Sequence, residues 1–252
     1  MQRKIIVLAL IVAGVGTARA DGDDLTVVGG MDFGFKKLHL DTGSGAGTFN
    51  PSFITINPNL ALAYRSFYAS LAYDKSISAE PDTGATSGST PSATMTDYSR
   101  TDTTFTLGYR LNPSFNLFAG YTDGANRFIT TAAALTLVVT DTSYTEKGPF
   151  AGVSYTHAFG DKGSLGLSVG YAWLRGDLRT DWHPSTAAPA NANTGDIRGD
   201  TRGVSFGLNW SGPLTASLGY RLAVKQTRYE MKDPASITER YTSLFVGILN
   251  YF

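Results

Sequence analysis

The chain has 252 residues, no cysteine, and 21 basic against 21 acidic residues. Balanced charge argues against a nucleic-acid binder, and the missing thiols exclude both a disulfide framework and a lipid-anchored cysteine. Its 28 glycines, 13 tyrosines and 14 phenylalanines suit sheets whose rings meet an interface.

The chain opens MQRKIIVLALIVAGVGTARA: Arg3 and Lys4, an apolar run from Ile5 to about Gly16, then the small-residue exit Ala18, Arg19, Ala20. This tripartite pattern predicts a secretory signal peptide over 1–20, removed after Ala20, with 21–252 as one domain. No later stretch of some 18 apolar residues follows, so no transmembrane helix is expected.

Segments of alternating apolar and polar residues follow at roughly 25–38, 53–65, 67–77, 99–111, 115–130, 137–159, 164–179, 200–211, 214–230 and 239–252. Tight connections at Arg65/Ser66, Asn112 to Ser114, Gly160 to Gly163 and Ser211 to Pro213 alternate with long polar ones at 79–97 and 181–197. In GYRLNPSFNLFAGY (108–121) the turn sets Tyr109 opposite Tyr121. In the ninth segment Leu214, Ala216, Leu218, Tyr220, Leu222 and Val224 share one face, and Thr215, Ser217, Gly219, Arg221, Ala223 and Lys225 the other.

The fold class expected is all-β: a closed antiparallel transmembrane β-barrel of about ten strands, with short periplasmic turns and long extracellular loops. Eight or twelve strands are the alternatives. Twelve would follow from a turn at TDGANR (122–127), but Phe115 to Tyr121 is then too short to cross a membrane. A tall hairpin projecting beyond the membrane is expected there instead.

Periodicity alone does not say which face meets water, since a soluble barrel would turn its apolar face inward. Aromatic residues recur at the strand ends, at Tyr64, Phe67, Tyr109, Phe115, Phe159 and Trp210. The opposite face is too small and too charged for a core. The apolar face is therefore set against lipid, with those rings as a periplasmic girdle.

The lumen residues follow by parity. They include Asp32, Lys36, Arg65, Asp74, Asp102, Arg110, Arg221 and Lys225, five cations against three anions. Small residues (Gly152, Ser154, Thr156, Gly166, Ser168, Gly170, Ala172, Gly207) leave space on one side. Two readings follow: a plugged barrel whose inward charges pair with one another, or a narrow porin-like passage for small polar or anionic solutes.

The chain ends TSLFVGILNYF, with Leu244, Val246, Ile248 and Phe252 on one face. This resembles the assembly signal of Gram-negative outer-membrane β-barrel proteins, although Asn250 stands where an aromatic residue is often found. With the leader and the strand pattern, the whole mature chain resembles that class, OmpA/opacity-like or small porin-like. The resemblance implies a place in the outer membrane, recognition by the barrel-assembly machinery through the strand ending in Phe252, and no nucleic-acid partner. A monomer is expected.

Extending the lipid-face parity upward puts Lys37, Lys75, Arg127, Arg175, Arg179, Arg198, Arg202, Arg228 and Arg240 at the outer rim, densest at Arg175, Arg179, Arg198 and Arg202. Guanidinium groups bind phosphate oxygens in pairs, and long basic side chains reach them from just outside hydrocarbon. These four are the candidates for contact with outer-membrane lipid and lipopolysaccharide.

Catalysis finds little material, and no enzyme, metal site or cofactor is expected. Of three histidines, His157 falls on the lipid side between Tyr155 and Phe159, and His39 tops the first strand. Asp181, Trp182 and His183 open the fourth outer loop and resemble the Asp-x-His pair of the omptin proteases, which also have ten strands. That resemblance implies Asp181 orienting His183 as general base. The family's Asp-x-Asp partner is missing, since the second loop has only isolated Glu80, Asp82 and Asp97. Two Arg-Gly-Asp tripeptides, 175–177 and 198–200, suggest an adhesin, but they sit on facing strand tops rather than at a loop apex.

Overall fold

The computed structural model describes residues 8–9, 16–17, 25–41, 48–80, 93–133, 137–184 and 195–252. Ten long strands make up the sheet: β1 Thr26–Asp41, β2 Ser52–Tyr64, β3 Phe67–Glu80, β4 Ala93–Arg110, β5 Phe115–Ala133, β6 Leu137–Ala158, β7 Ser164–Pro184, β8 Gly195–Pro213, β9 Leu218–Met231 and β10 Ile237–Tyr251. Each pairs antiparallel with its neighbour in sequence. β10 also pairs with β1, from Thr238↔Asp41 to Tyr251↔Val28, which closes the barrel. A two-residue piece, Thr48–Phe49, joins the upper end of β1. A separate ladder links Leu8–Ala9 to Gly16–Thr17.

Burial follows the pleat. On β7 the outward Leu167, Val169, Tyr171 and Trp173 are exposed while Ser168, Ala172 and Leu174 are buried. Exposed apolar residues ring the whole barrel, including Phe33, Phe35, Leu71, Leu107, Leu222 and Val246. At the short-turn end Phe67 packs on Tyr109, Phe115 on Tyr155 and Phe159 on Trp210, with ring centroids 4.9, 5.0 and 5.4 Å apart. A second set of exposed rings, Tyr73, Tyr121, Tyr171 and Trp173, marks the other edge. From Leu165 to Trp173 the strand rises about 26 Å at ~3.3 Å per residue, or ~20 Å of height at a tilt of ~40°. That is close to a hydrocarbon band. The next outward residues are Lys75, Asp123 and Arg175, so the apolar belt stops abruptly.

Three local expectations change. The eighth strand runs on to Pro213, and the turn lies at Leu214–Ser217, so β9 begins at Leu218. The Thr215 hydroxyl accepts the Leu218 N–H at 3.1 Å, and the Leu214 N–H reaches the Leu218 carbonyl at 2.8 Å. The β4–β5 turn uses the same device: Asn112 Oδ1 accepts the Ser114 and Phe115 N–H groups at 2.9 Å each. It spans residues 111–114, so the register sets Tyr109 opposite Leu117 and Tyr121 opposite Phe105. Finally, β3, β4, β7 and β8 run further into the polar connections than periodicity suggested, because the ladder continues above the membrane where alternation no longer reports lipid.

The tall β5–β6 hairpin is continuous through 122–127, where Asp123 pairs with Lys147 and Arg127 with Ser143. This removes the twelve-strand alternative.

Candidate functional site

The lumen is filled, and glycines show how. Phe118 lies directly opposite Gly152, Phe150 opposite Gly120, Tyr68 opposite Gly108 and Tyr229 opposite Gly203. Each ring leans across the strand gap onto its glycine, so a Cβ at Gly152 would collide with the Phe118 ring. Aromatic rings covering cross-strand glycines are a known device for filling sharply curved sheets. These rings join Val28, Ala61, Ala63, Leu174 and Leu249 in a buried apolar cluster. Gly108, Gly120, Gly152 and Gly203 therefore make room for rings rather than for a passage.

A second buried cluster closes the opposite end. Leu38, Phe53, Tyr98, Phe128, Tyr144, Met231 and Ile237 all point inward there. Phe53, Tyr98 and Phe128 stack in series, with centroids 4.8 and 5.1 Å apart.

Between the clusters lies the polar network, around a cavity of about 110 Å3 lined by Asp32, Lys36, Asp74, Asp102, Arg221 and Lys225 among others. Asp32 accepts from Asn59 at 3.0 Å and pairs with Arg221. Lys36 reaches Asp74 at 2.9 Å and Asp102 at 3.6 Å. Asn57 adds a hydrogen bond to Asp74 at 3.2 Å. Arg100 clamps Asp102 through two nitrogens at 2.7 Å each and extends to Glu239 at 3.0 Å. Glu239 also accepts from Asn126 at 2.9 Å and from Tyr241. Pairing of this kind offsets much of the cost of charges facing a low-dielectric interior.

Of the eight lumen charges expected, Asp32, Lys36, Asp74, Asp102, Arg221 and Lys225 line this cavity. Arg110 is half-buried lower down, near the Tyr68 hydroxyl. Arg65 is not in the lumen. It is exposed at the tip of the β2–β3 turn with φ of 54°, its guanidinium 5.1 Å from the Tyr64 ring centre, because a two-residue turn breaks the strand parity. Arg100, Glu146 and Glu239 are inward as well, and all three are buried. Carrying the parity of Asp102, Ser154 and Ser243 further along their strands would have found them. With these corrections the cations Lys36, Arg100, Arg110, Arg221 and Lys225 face five carboxyl groups, Asp32, Asp74, Asp102, Glu146 and Glu239, and the expected positive excess shrinks.

Glu146 is three residues beyond Trp173 and Tyr121 by register, above the apolar belt. Burial first, then the neighbouring Glu239 carboxylate, raises it well above the usual glutamate range. Tyr144 donates to it at 2.9 Å. Glu239 Oε2 is buried with no other partner among the described residues, so a proton on Glu146 supplies the donor it lacks.

The outer rim carries the remaining charges. All nine expected rim cations are exposed on the outer face. They alternate with acids: Arg127 bonds Asp141 at 3.1 Å, Arg179 bonds Asp181 at 3.3 Å and Arg198 bonds Asp177 at 2.8 Å. Arg228 pairs with Glu230. The two Arg-Gly-Asp tripeptides are cross-strand partners, Arg175 opposite Asp200, Gly176 opposite Gly199 and Asp177 opposite Arg198.

Asp181 and His183 lie within β7, not in a loop, and His183 pairs with Val139 in the ladder. Asp181 stands on the outward-facing parity and its carboxylate is engaged by Arg179. Asp97 is also exposed on the outer face. The side chains of Glu80, Asp82 and His183 lie outside the described residues. His39 is half-buried with Nδ1 at 2.6 Å from Asn50 Oδ1. His157 is exposed at the lower girdle, edge-on to Phe159 at 4.7 Å. Among the described residues no group of histidines and carboxylates is arranged to hold a metal.

The chain matches no protein-family model and no curated protein. Among solved structures it is similar to the outer membrane protease OmpT from Escherichia coli, with a TM-score of 0.63 at 12% identity over 94% of this chain and 99% of that one. The chain has the fold of an outer-membrane β-barrel. Weaker likenesses are to the translocator domain of the autotransporter NalP from Neisseria meningitidis (TM-score 0.47, 12% identity, 92% and 90% covered) and to Neisserial surface protein A (0.35, 10%, 90% and 97%). At such identity the likeness to OmpT is one of fold.

Proposed function

We propose that this protein is a closed barrel of the outer membrane, exported through its leader and inserted by way of the strand ending in Phe252. In this reading it acts through the surfaces it presents to the leaflet and the exterior. The observation that carries the proposal is the lumen: buried rings pack both ends and the charges between them are largely paired. A porin needs a continuous wet path lined by polar or charged groups, and the 110 Å3 cavity sits between two apolar plugs instead. Planar-bilayer recording of the refolded protein tests this. No discrete channel openings are expected, and stable single-channel conductance would overturn the proposal in favour of a narrow passage.

A protease is the second reading, favoured by the likeness to OmpT together with the Asp181-x-His183 spacing on β7. The pairing of Asp181 with Arg179 weighs against it, since an orienting carboxylate must face its histidine. Incubation of intact cells with basic peptides discriminates the two. Cleavage that His183→Ala abolishes would establish the protease reading.

A further inference from the structure

On the outer face, where β7, β8 and β9 meet the β9–β10 turn, a groove of about 1020 Å3 is lined by Arg175, Arg198, Arg202, Arg228 and Lys232. Asp200, Glu230 and Asp233 are its acids, so five cations face three anions and the groove carries a net positive charge. We propose that this groove binds the phosphorylated headgroup of an outer-leaflet lipid. The proposal rests on the barrel lying in that membrane, and it departs from the sequence reading in one respect. Arg179 is not among the lining residues, being tied to Asp181 one rung higher, and Arg228 and Lys232 from the next hairpin take its place.

The cations divide by their partners. Arg198 is held by Asp177 and Arg228 by Glu230, which fixes two walls. Arg175 and Arg202 make no ion pair among the described residues although both border the groove, so their planar donor forks are open to an oxyanion. A guanidinium presents two parallel N–H groups to phosphate oxygens, and two such groups on adjacent strands can share one phosphate. Placement selects the ligand. Tyr171 and Val204 form the groove's lower lining. Below them Val169, Phe206 and Leu208 are exposed on the lipid face. A molecule whose phosphate sits among the arginines therefore has apolar surface directly beneath for acyl chains. A soluble phosphate gains nothing from that surface.

The test uses the full mature chain in nanodiscs of neutral phosphatidylcholine, with and without a bis-phosphorylated glucosamine lipid of the lipopolysaccharide anchor type. Thermal melting is read for the wild type, for Arg175→Gln with Arg202→Gln, and for Lys75→Gln with Arg240→Gln as a control elsewhere on the rim. The phosphorylated lipid is expected to raise the melting temperature of wild type and control. The Arg175/Arg202 variant should lose most of that rise, with apparent affinity about tenfold weaker or more. Equal rises in all three proteins would overturn the proposal. A rise produced by inorganic phosphate alone would mean a free-anion site and overturn the lipid assignment. The anchor lipid stripped of its phosphates is expected to give none, and an undiminished rise with it would also overturn the proposal. Failure to insert into neutral nanodiscs at all would refute the membrane reading itself, a distinct result.

Discussion

Arg100 on β4 and Glu239 on β10 bond across the barrel interior at 3.0 Å, joining strands that lie on nearly opposite walls. The same guanidinium grips Asp102 and lies over the Tyr241 ring at 4.0 Å. One side chain thus braces the upper half of the barrel from within.

Removing one partner leaves the other buried and uncompensated. Arg100→Ala is expected to destabilise the folded barrel by about 3–5 kcal/mol, read as a fall in the urea midpoint for unfolding in lipid vesicles. Arg198→Ala, which breaks an exposed rim pair, should cost under about 1 kcal/mol. Equal losses would mean that the lumen network carries no special weight.

The Glu146 carboxyl sets a pH dependence. An unfolded glutamate releases its proton near 4.5, whereas folded Glu146 holds it to higher pH. Below the unfolded value both states are protonated and the native contact is intact. As pH rises between the two values only the native state keeps the proton, so stability falls. Glu146→Gln keeps a neutral donor at every pH. The variant should therefore gain stability relative to wild type as pH climbs above about 4.5, and infrared spectra of the wild type should show a protonated carboxyl band that persists above that pH and that the variant lacks. A constant difference across pH would rule out the shared proton.

The Phe118 and Gly152 rung is open to a double-mutant cycle. Gly152→Val forces the ring off its seat and should cost about 1–3 kcal/mol or more. Phe118→Ala should cost about 3–5 kcal/mol. With both changes present the valine no longer meets the ring, although the Val169 carbonyl oxygen still crowds its Cβ, so the combined loss should be smaller than the sum by the ring's share. Additive losses would show that ring and glycine do not share that space.

The adhesin idea is testable without disturbing the rim. Asp177→Glu with Asp200→Glu keeps every charge while removing both Arg-Gly-Asp tripeptides. Attachment of expressing cells to integrin-bearing surfaces is expected to be unchanged, because the tripeptides are flat ladder rungs. Loss of attachment would revive that role.

Sequence periodicity reached the barrel because lipid imposes a two-residue period on every crossing strand: Leu222 and Val224 had to face out, and Arg221 and Lys225 in. The turns of Arg65 and Gly160 were legible for the same local reasons of chain chemistry. What fills the interior was not. Alternation places Phe118 on the inner face without saying that its ring will cross to Gly152, since that depends on which residues the register sets opposite. Arg100 and Glu239 escaped notice because strand signals fade above the membrane, where polar residues occupy both faces. The lumen charge balance changed with them, and with it the argument for an anion passage.

The alternating charges of the β7–β8 hairpin act as a key for alignment. Outward from the membrane, β7 presents Arg175, Asp177, Arg179 and Asp181, and β8 presents Arg202, Asp200, Arg198 and Asp196. The observed pairing sets Arg175 against Asp200, Asp177 against Arg198 and Arg179 against Asp196. A slip of one residue would send each side chain to the wrong face, but a slip of two would keep every residue on its proper side and restore the backbone ladder. Hydrophobicity has no objection to that slip. Charge does: displaced by two, Arg175 meets Arg202, Asp177 meets Asp200, Arg179 meets Arg198 and Asp181 meets Asp196, and like charges directly opposite one another repel. Shifted the other way, Arg175 meets Arg198 and Asp177 meets Asp196. In the part of the hairpin that stands clear of the bilayer, where lipid no longer grades the alignment, the teeth of the comb engage at a single setting.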